Sequence, residues 1–371
     1  MKLKSIIVLL FVTPVLFAQS AKDSIILIQG FAIAAPRNHE VNQFIDFIKK
    51  ELVPRKINTL MVRVDYNFNY LSHPELRDSA VLSQEDVKSI VKTCRENNIN
   101  IIPQVNLLGH QSWHSKPSAL LVKYPQFDET PHVQLPAEYK WPNADGLYCK
   151  SYCPLHPDVH KVVFEVMDEI CDAFESTAFH AGMDEVFYIG DDKCSRCAGK
   201  DKAELFAGEV NLIREHLKQK KRELWIWGDR LIDGKSTGMG MWEASMNNTH
   251  RSIDMISKEV VICDWHYERP DQSPVLFASK GFKVITCPWN KPQIAMQQVD
   301  DMSRWRNTAT KEMKPRYYGM MQTVWTGFGN FQIEMADLGK GSPISDPRGR
   351  TSSADCFVQM FKKISEIEKL D

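Results

Sequence analysis

The chain has 371 residues, with 46 basic against 47 acidic side chains and a formal charge of −1. That balance leaves no basic footprint for nucleic acid. With 43% of residues hydrophobic and 25% charged, the chain can build a sizeable buried core and is too apolar for a disordered segment.

The first residues read Met1-Lys2-Leu3-Lys4, followed by an almost wholly apolar stretch over 5–17 and then Ala18-Gln19-Ser20-Ala21. A basic start, a short apolar core and small residues after it describe a secretory signal peptide, and the core is too short to span a bilayer. Cleavage is expected near Ala18, which divides the chain into a signal peptide, 1–18, and a mature domain, 19–371. Removing Lys2 and Lys4 leaves 44 basic residues against 47 acidic, a formal charge of −3. No later stretch is long and apolar enough to span a bilayer. The expectation is a soluble, exported protein, periplasmic or extracellular, with no membrane contact after cleavage.

Runs rich in Ile, Val, Leu and aromatic residues then recur at 24–33, 59–66, 99–106, 178–182, 224–227, 260–264, 282–286 and 317–325. Helix-like stretches fall between them at 39–52, 84–97, 157–174, 202–220, 249–257, 271–280 and 291–310, and a last one covers 354–370. Helix starts carry capping signals, such as Ser83-Gln84-Glu85-Asp86 before Val87 and Pro157-Asp158 before the stripe Val162, Val166, Ile170. Eight alternating β and α units, with no linker, repeat or low-complexity segment, predict one α/β domain, a single (β/α)8 TIM barrel. The stretch 107–156, rich in Pro, Trp and His, is an elaborated loop after strand three. Loops at the carboxyl face of such a barrel carry specificity.

Polar and aromatic residues gather where strands end. Arg37 follows the first run, Arg63 and Asp65 the second, and Gly109-His110 with Trp113-His114 the third. His180, Asp184 and Glu185 mark the fourth, Trp227, Asp229 and Arg230 the fifth, and Asp264-Trp265-His266-Tyr267 the sixth. Trp289-Asn290 follows the seventh and Trp325 the eighth. Two adjacent acids at a strand end can converge on one ligand, one ionised to stabilise developing charge and the other desolvated and protonated as a general acid. Four of the nine Trp residues share the same register on the expected active face. Indole faces stack on the C–H faces of sugar rings, so a carbohydrate partner follows.

Nine cysteines in an exported chain permit disulfides. Cys149-x3-Cys153 and Cys194-x2-Cys197 lie in the loops after strands three and four, which are neighbours in a barrel. Two disulfides or one structural zinc bound by all four would both pin these loops. Cys94, Cys171, Cys263, Cys287 and Cys356 fall on helices or strands and read as buried fillers. No other cofactor is implied.

With these residues in view, the chain resembles glycoside hydrolase family 20, the β-N-acetylhexosaminidases. The family's strand-four motif His-x-Gly-Gly-Asp-Glu is matched by His180-Ala181-Gly182-Met183-Asp184-Glu185, with Met183 in place of the second Gly. Arg37, Gly109-His110, Trp227 with Asp229, and Trp325 extend the match over most of the barrel. The resemblance implies that Asp184 orients the substrate's 2-acetamido group, whose carbonyl oxygen attacks the anomeric carbon, and that Glu185 protonates the leaving oxygen and then activates water. Arg37 would grip sugar hydroxyls, while Trp227, Trp265 and Trp325 would cage the acetamide and the ring. His180 and His110 would tune Glu185. The implied function is removal of terminal β-linked N-acetylhexosamine with retention of configuration.

Departures from the family pattern keep alternatives open. Trp325-Thr326-Gly327 lacks the Glu usual two residues past that Trp, and Cys287-Pro288-Trp289-Asn290 stands where the family has a Tyr and an Asp. Tyr267 is the candidate substitute for the Tyr. Asp65 is a candidate hydroxyl ligand or an ion-pair partner of Arg63. The alternatives are a carbohydrate-binding barrel without turnover, and a conventional two-carboxylate glycosidase using Asp229 or Asp264.

Overall fold

The computed structural model describes residues 24–138, 149–340 and 352–370. The signal peptide expected at 1–18 lies outside the described residues. Eight parallel strands close on themselves: β1 Ile28–Ala34, β2 Thr59–Arg63, β3 Asn100–Leu107, β4 Ala178–Gly182, β5 Glu223–Trp227, β6 Val261–Asp264, β7 Lys283–Thr286 and β8 Tyr317–Thr323. Each pairs with the next in sequence, and β8 returns to β1 with Ile28 opposite Gly319 and Ala32 opposite Thr323. The expected (β/α)8 barrel is the observed architecture.

Both faces of a parallel barrel strand are covered, so the strands are apolar on both sides, and the alternation sorts which core each residue joins. Phe31, Val62, Phe179, Ile226, Ile262 and Val284 face outward into the large core shared with the helices. Ala32, Met61, Trp225, Trp227, Cys263 and Ile285 belong to a separate inner core. Large indoles at Trp225 and Trp227 fill the barrel, which is a packed interior and not a pore.

The outer layer comprises α1 Val41–Phe47, α2 Gln84–Glu96, α3 Val159–Ala173, α4 Lys202–Gln219, α5 Ser273–Ser279, α6 Pro292–Thr308, α7 Phe328–Gly339 and α8 Ser353–Leu370. Among the described residues no helix is long and apolar enough to cross a membrane. Ser83 and Asp86 form the reciprocal capping box that starts α2, with Asp86 N donating to Ser83 Oγ at 3.1 Å and Ser83 N to Asp86 Oδ2 at 2.9 Å. Loss of such a cap costs about 1 kcal/mol.

Three elements differ from the sequence expectation. The helix expected over 39–52 is α1 followed by a π turn, Ile48–Leu52, where Pro54 supplies no N–H to continue the ladder. The helix expected over 249–257 is a 3-10 turn, Thr249–Asp254, entered through Asn248 at φ +71° and tied by Thr249 Oγ1 to Arg230 O at 3.0 Å. Helix α7 was not expected, because Gly327, Gly329 and Gly339 weaken the local helical signal. It forms because Phe328 and Phe331 enter an aromatic cluster with Phe31, Phe44, Phe47 and Phe357, with edge contacts such as Phe44–Phe328 at 4.9 Å between centroids.

The elaborated loop after β3 folds back along the carboxyl face. Gln111 N donates to Lys150 O at 2.8 Å, Tyr152 N to Leu108 O at 3.0 Å, and Tyr152 Oη to Glu209 Oε1 on α4 at 2.5 Å. These bonds bring the returning strand of the loop, with Cys149 and Cys153, beside the end of β4.

Candidate active site

The site begins where β4 ends. Gly182 and Met183 take left-handed backbone angles, φ +69° and +71°, and Glu185 takes +49°. These angles turn the chain so sharply that Asp184 and Glu185 no longer point to opposite faces. Glycine suits the conformation, whereas a buried Met at such an angle carries roughly 1 kcal/mol or more of backbone strain. Gly109 is needed for a different reason. A Cβ there would lie 2.7 Å from the Asp184 carbonyl oxygen, so only glycine lets the β3 loop approach the acid pair.

His110 is brought in by that approach. Its Nε2 lies 3.1 Å from Asp184 Oδ2 and 3.3 Å from Glu185 Oε2, so one nitrogen spans both carboxylates. Burial raises the Asp184 carboxyl, but the charge and hydrogen bond of His110 outweigh it and hold the group below the usual carboxylate range. Burial acts to strip the His110 proton, yet Asp184 and then Cys149 beside it hold the imidazole well above its ordinary value.

Behind the pair, Asp229 Oδ2 accepts from the Glu185 N–H at 2.9 Å and from Arg230 Nε at 2.6 Å. Both Asp229 and Arg230 are buried, and Arg230 also donates to the carbonyls of Met241, Trp242 and Ala244. Burial pushes the Asp229 carboxyl up to about 6, against the pull of Arg230 and with the like charge of Asp184 adding to the rise. Asp229 therefore anchors the backbone of Glu185.

The aromatic residues line up as the registers suggest. Trp227 packs between His180, 4.4 Å between ring centroids, and Trp325, 5.7 Å. Trp325 Nε1 donates to Tyr267 Oη at 2.8 Å, Tyr267 stacks on Trp265 at 5.2 Å, and Trp289 meets Tyr267 edge-on at 5.5 Å. The Nε1 atoms of Trp227, Trp265 and Trp289 and Oδ1 of Asp184 are buried with no hydrogen-bond partner among the described residues. Buried polar atoms are ordinarily satisfied, so this group of three donors and one acceptor describes a seat for a polar ligand.

Other expected residues make contacts that their sequence positions do not show. Arg37 is exposed beyond β1, where its backbone N–H is held by Glu40 Oε2 at 2.8 Å. The Arg63 guanidinium, at the end of β2, lies 5.0 Å from the Trp325 ring centroid. A small hollow there is lined by Arg63, Trp227, Thr323 and Trp325. Asp65 is not hydrogen-bonded to Arg63 in an ion pair. It accepts from Asn106 N at 2.9 Å and Asn106 Nδ2 at 3.1 Å, fixing the end of β3 to β2. His180 does not touch Glu185. It is fully buried and its Nδ1 accepts from Gly182 N at 3.1 Å, so it braces the turn. A larger cavity opens at the opposite, amino-terminal end of the barrel between Arg222, Glu223, Lys258 and Lys283, but both of its glutamates are ion-paired, Glu223 with Lys283 and Glu259 with Arg214.

The cysteines need a correction. Cys149 does not join Cys153, Cys194 and Cys197. Its thiol donates to Glu185 Oε2 at 3.3 Å and lies 3.7 Å from His110 Nδ1, placing it in the acid site. Its x3 spacing to Cys153, unlike the x2 of the other pair, was the one sequence signal that the two could part. The other three sulfurs gather with Glu129, a residue without any sequence signal. Cys94, Cys171, Cys263, Cys287 and Cys356 are buried, as fillers should be.

Compared with known proteins, residues 49–334 match the catalytic domain of glycosyl hydrolase family 20. A beta-hexosaminidase from Porphyromonas gingivalis is 29% identical over 154 residues, covering 42% of this chain and 18% of that protein. A lacto-N-biosidase from Bifidobacterium bifidum is 22% identical over 223 residues, covering 57% and 18%. The alignments thus span about a fifth of the length of these two relatives. Hexosaminidase D from Bos taurus is 23% identical over 300 residues, covering 77% of this chain and 80% of that one. Among solved structures, a beta-N-acetylhexosaminidase from Bacteroides fragilis superposes with a TM-score of 0.60 at 17% identity, covering 92% of this chain and 66% of that chain. At that identity the likeness shows a shared fold.

Proposed function

The chain belongs to glycosyl hydrolase family 20, and from that membership and the geometry of its acid pair we propose that it is an exported glycosidase removing terminal β-linked N-acetylhexosamine from glycans. The observation that carries the reading is the shared contact of His110 Nε2 with Asp184 and Glu185 at the end of β4. An imidazolium held between them keeps Asp184 ionised and fixes both carboxylates against one ligand.

The reaction follows from that placement. Asp184 accepts the acetamide N–H and orients the group, so the carbonyl oxygen attacks the anomeric carbon within the same molecule. Glu185 gives its proton to the departing glycosidic oxygen as that bond breaks. The carboxylate of Asp184 stabilises the positive charge that develops on the oxazolinium ring. Glu185, now ionised, takes a proton from water as the water attacks the anomeric carbon, the ring reopens, and the configuration is retained, a substrate-assisted route without a covalent bond to the protein. Trp227, Trp265, Trp289, Tyr267 and Trp325 would enclose the acetamide and the sugar, and Arg37 and Arg63 would contact hydroxyls.

The substrate-assisted reading is supported over the conventional two-carboxylate scheme by the engagement of both candidate acids of that scheme. Asp229 is engaged by Arg230 and by the Glu185 N–H. Asp264 accepts from Ser273 Oγ at 2.6 Å and lies 3.3 Å from His266 Nε2. A second reading, a sugar-binding barrel without turnover, is favoured by Gly327, which caps α7 with no carboxylate to offer distal hydroxyls.

The test is hydrolysis of chromogenic β-N-acetylglucosaminide and β-N-acetylgalactosaminide, with β-glucoside as control, by wild type and Glu185→Gln. Cleavage confined to acetamido sugars and lost in Glu185→Gln supports the proposal. Cleavage of the plain glucoside overturns the acetamide route, and binding without cleavage selects the second reading. Export is read separately, from the amino terminus of the protein recovered outside the cytoplasm.

A further inference from the structure

Outside the acid pair, four buried side chains from two loops meet: Glu129, Cys153, Cys194 and Cys197. Cys153 Sγ lies 3.6 Å from Cys194 Sγ and 3.5 Å from Cys197 Sγ, and one ligand atom from each of the four residues falls within 4.8 Å of all the others. A disulfide would require about 2.05 Å. Thiolates bound at about 2.3 Å around a tetrahedral zinc stand roughly 3.8 Å apart along each edge, close to the spacing found here.

The carboxylate supplies the independent observation. Glu129 Oε1 accepts from the Asp191 N–H at 3.0 Å, but Oε2 is buried and has no hydrogen-bond partner among the described residues. A carboxylate oxygen removed from water and left unanswered beside three thiols is costly, and a divalent cation removes that cost. An odd number of sulfurs also argues against oxidation as the resting state, since one disulfide would leave the third thiol and Glu129 unresolved.

The backbone holds the set in place before any ion arrives. Cys194 N donates to Asp191 O at 3.0 Å, Cys197 N to Cys194 O at 3.2 Å and Ala198 N to Cys194 O at 2.9 Å, a tight turn that aims both sulfurs to one side. Cys153 N is fixed by Phe127 O at 2.7 Å, and Glu129 N by Ser151 O at 3.0 Å. Three soft thiolates and one carboxylate, all buried and leaving no position for water, describe a closed structural site for zinc.

We propose that Glu129, Cys153, Cys194 and Cys197 bind one structural zinc ion that fastens the loop after β3 to the loop after β4. Binding displaces the three thiol protons to solvent. The clamp lies four residues from Cys149, which touches Glu185, and nine from Glu185 itself, so it steadies both walls of the acid site without touching substrate.

The test uses the full chain purified without chelator from zinc-supplemented medium. Elemental analysis is expected to find one zinc per chain, near zero in Cys194→Ser and Cys197→Ser, and undiminished in Cys149→Ser. Glu129→Gln is expected to release zinc at about tenfold lower chelator concentration. Because the serine variants can fail to fold, wild type is also exchanged with Co2+, which should give tetrahedral visible bands and a near-ultraviolet thiolate band of three-sulfur intensity. Wild type without zinc or a cobalt band overturns the proposal. So does a mapped disulfide joining any two of these three cysteines, or zinc that persists in a folded Cys194→Ser.

Discussion

His110 Nε2 meets Asp184 Oδ2 at 3.1 Å, and the two groups displace each other's proton equilibria in opposite directions. The lowered Asp184 contributes stability above its unfolded value near 3.8, lost as pH falls through the folded value. The raised His110 contributes stability below 6.5, lost as pH rises through its higher folded value. His110→Gln should therefore cost most between pH 3.8 and 6.5, about 2 kcal/mol, with the difference from wild type shrinking at strongly alkaline pH. Urea denaturation of both proteins across pH 3 to about 10 measures it, and a constant difference would contradict the ion pair.

Cys149 is a hydrogen-bond donor to Glu185 and not a nucleophile. Burial pushes its thiol up to about 12 despite the lowering influence of His110. Cys149→Ser should keep activity within about twofold, while Cys149→Ala should lose roughly two- to tenfold in kcat/KM, the worth of one hydrogen bond. The native thiol should resist alkylation at neutral pH until the protein is unfolded. Rapid labelling at pH 7 with loss of activity would show a thiolate instead.

Met183 stands at a backbone angle that glycine would adopt without strain, yet its side chain is 1% exposed. Met183→Gly relieves roughly 1 kcal/mol of strain and removes core contacts worth about 2–5 kcal/mol. The net expectation is destabilisation by about 1–4 kcal/mol. Thermal unfolding decides the balance, and a raised Tm would mean that strain dominates.

Arg230 is the sole cation paired with the buried Asp229 among the described residues. Arg230→Met should cost about 3–5 kcal/mol at neutral pH, because it strands a buried carboxylate. The folded Asp229 titrates near 6 against 3.8 unfolded, so in wild type this group makes stability fall as pH rises between those values and stay level above. The cost of Arg230→Met should accordingly be larger at pH 8 than at pH 5. Denaturation at the two values checks the sign.

The barrel was legible because both faces of its strands are buried, which makes each an apolar run that stands out from the helical periods between. Phe328–Gly339 was not, since its helix rests on a distant aromatic cluster that no local window contains. In the site, Asp184, Glu185 and His110 could be found because short motifs at strand ends place them. The parting of Cys149 from Cys153, and the arrival of Glu129 beside the three sulfurs, depends on how the loop after β3 returns to the barrel face. Residue spacing carries little record of such a return, the x3 interval between Cys149 and Cys153 being its one trace.

The unanswered indole N–H groups of Trp227, Trp265 and Trp289, with Oδ1 of Asp184, have a bearing on discrimination. These buried atoms reward a guest that answers them and penalise one that matches only in shape. A sugar bearing hydroxyl in place of acetamide would leave Asp184 facing the wrong partner, and rejection by unmet hydrogen bonds can reach 10⁴-fold or more, roughly a hundred times beyond what an apolar pocket achieves. Selectivity in this barrel would then reside in matched donors and acceptors more than in the shape of the cavity.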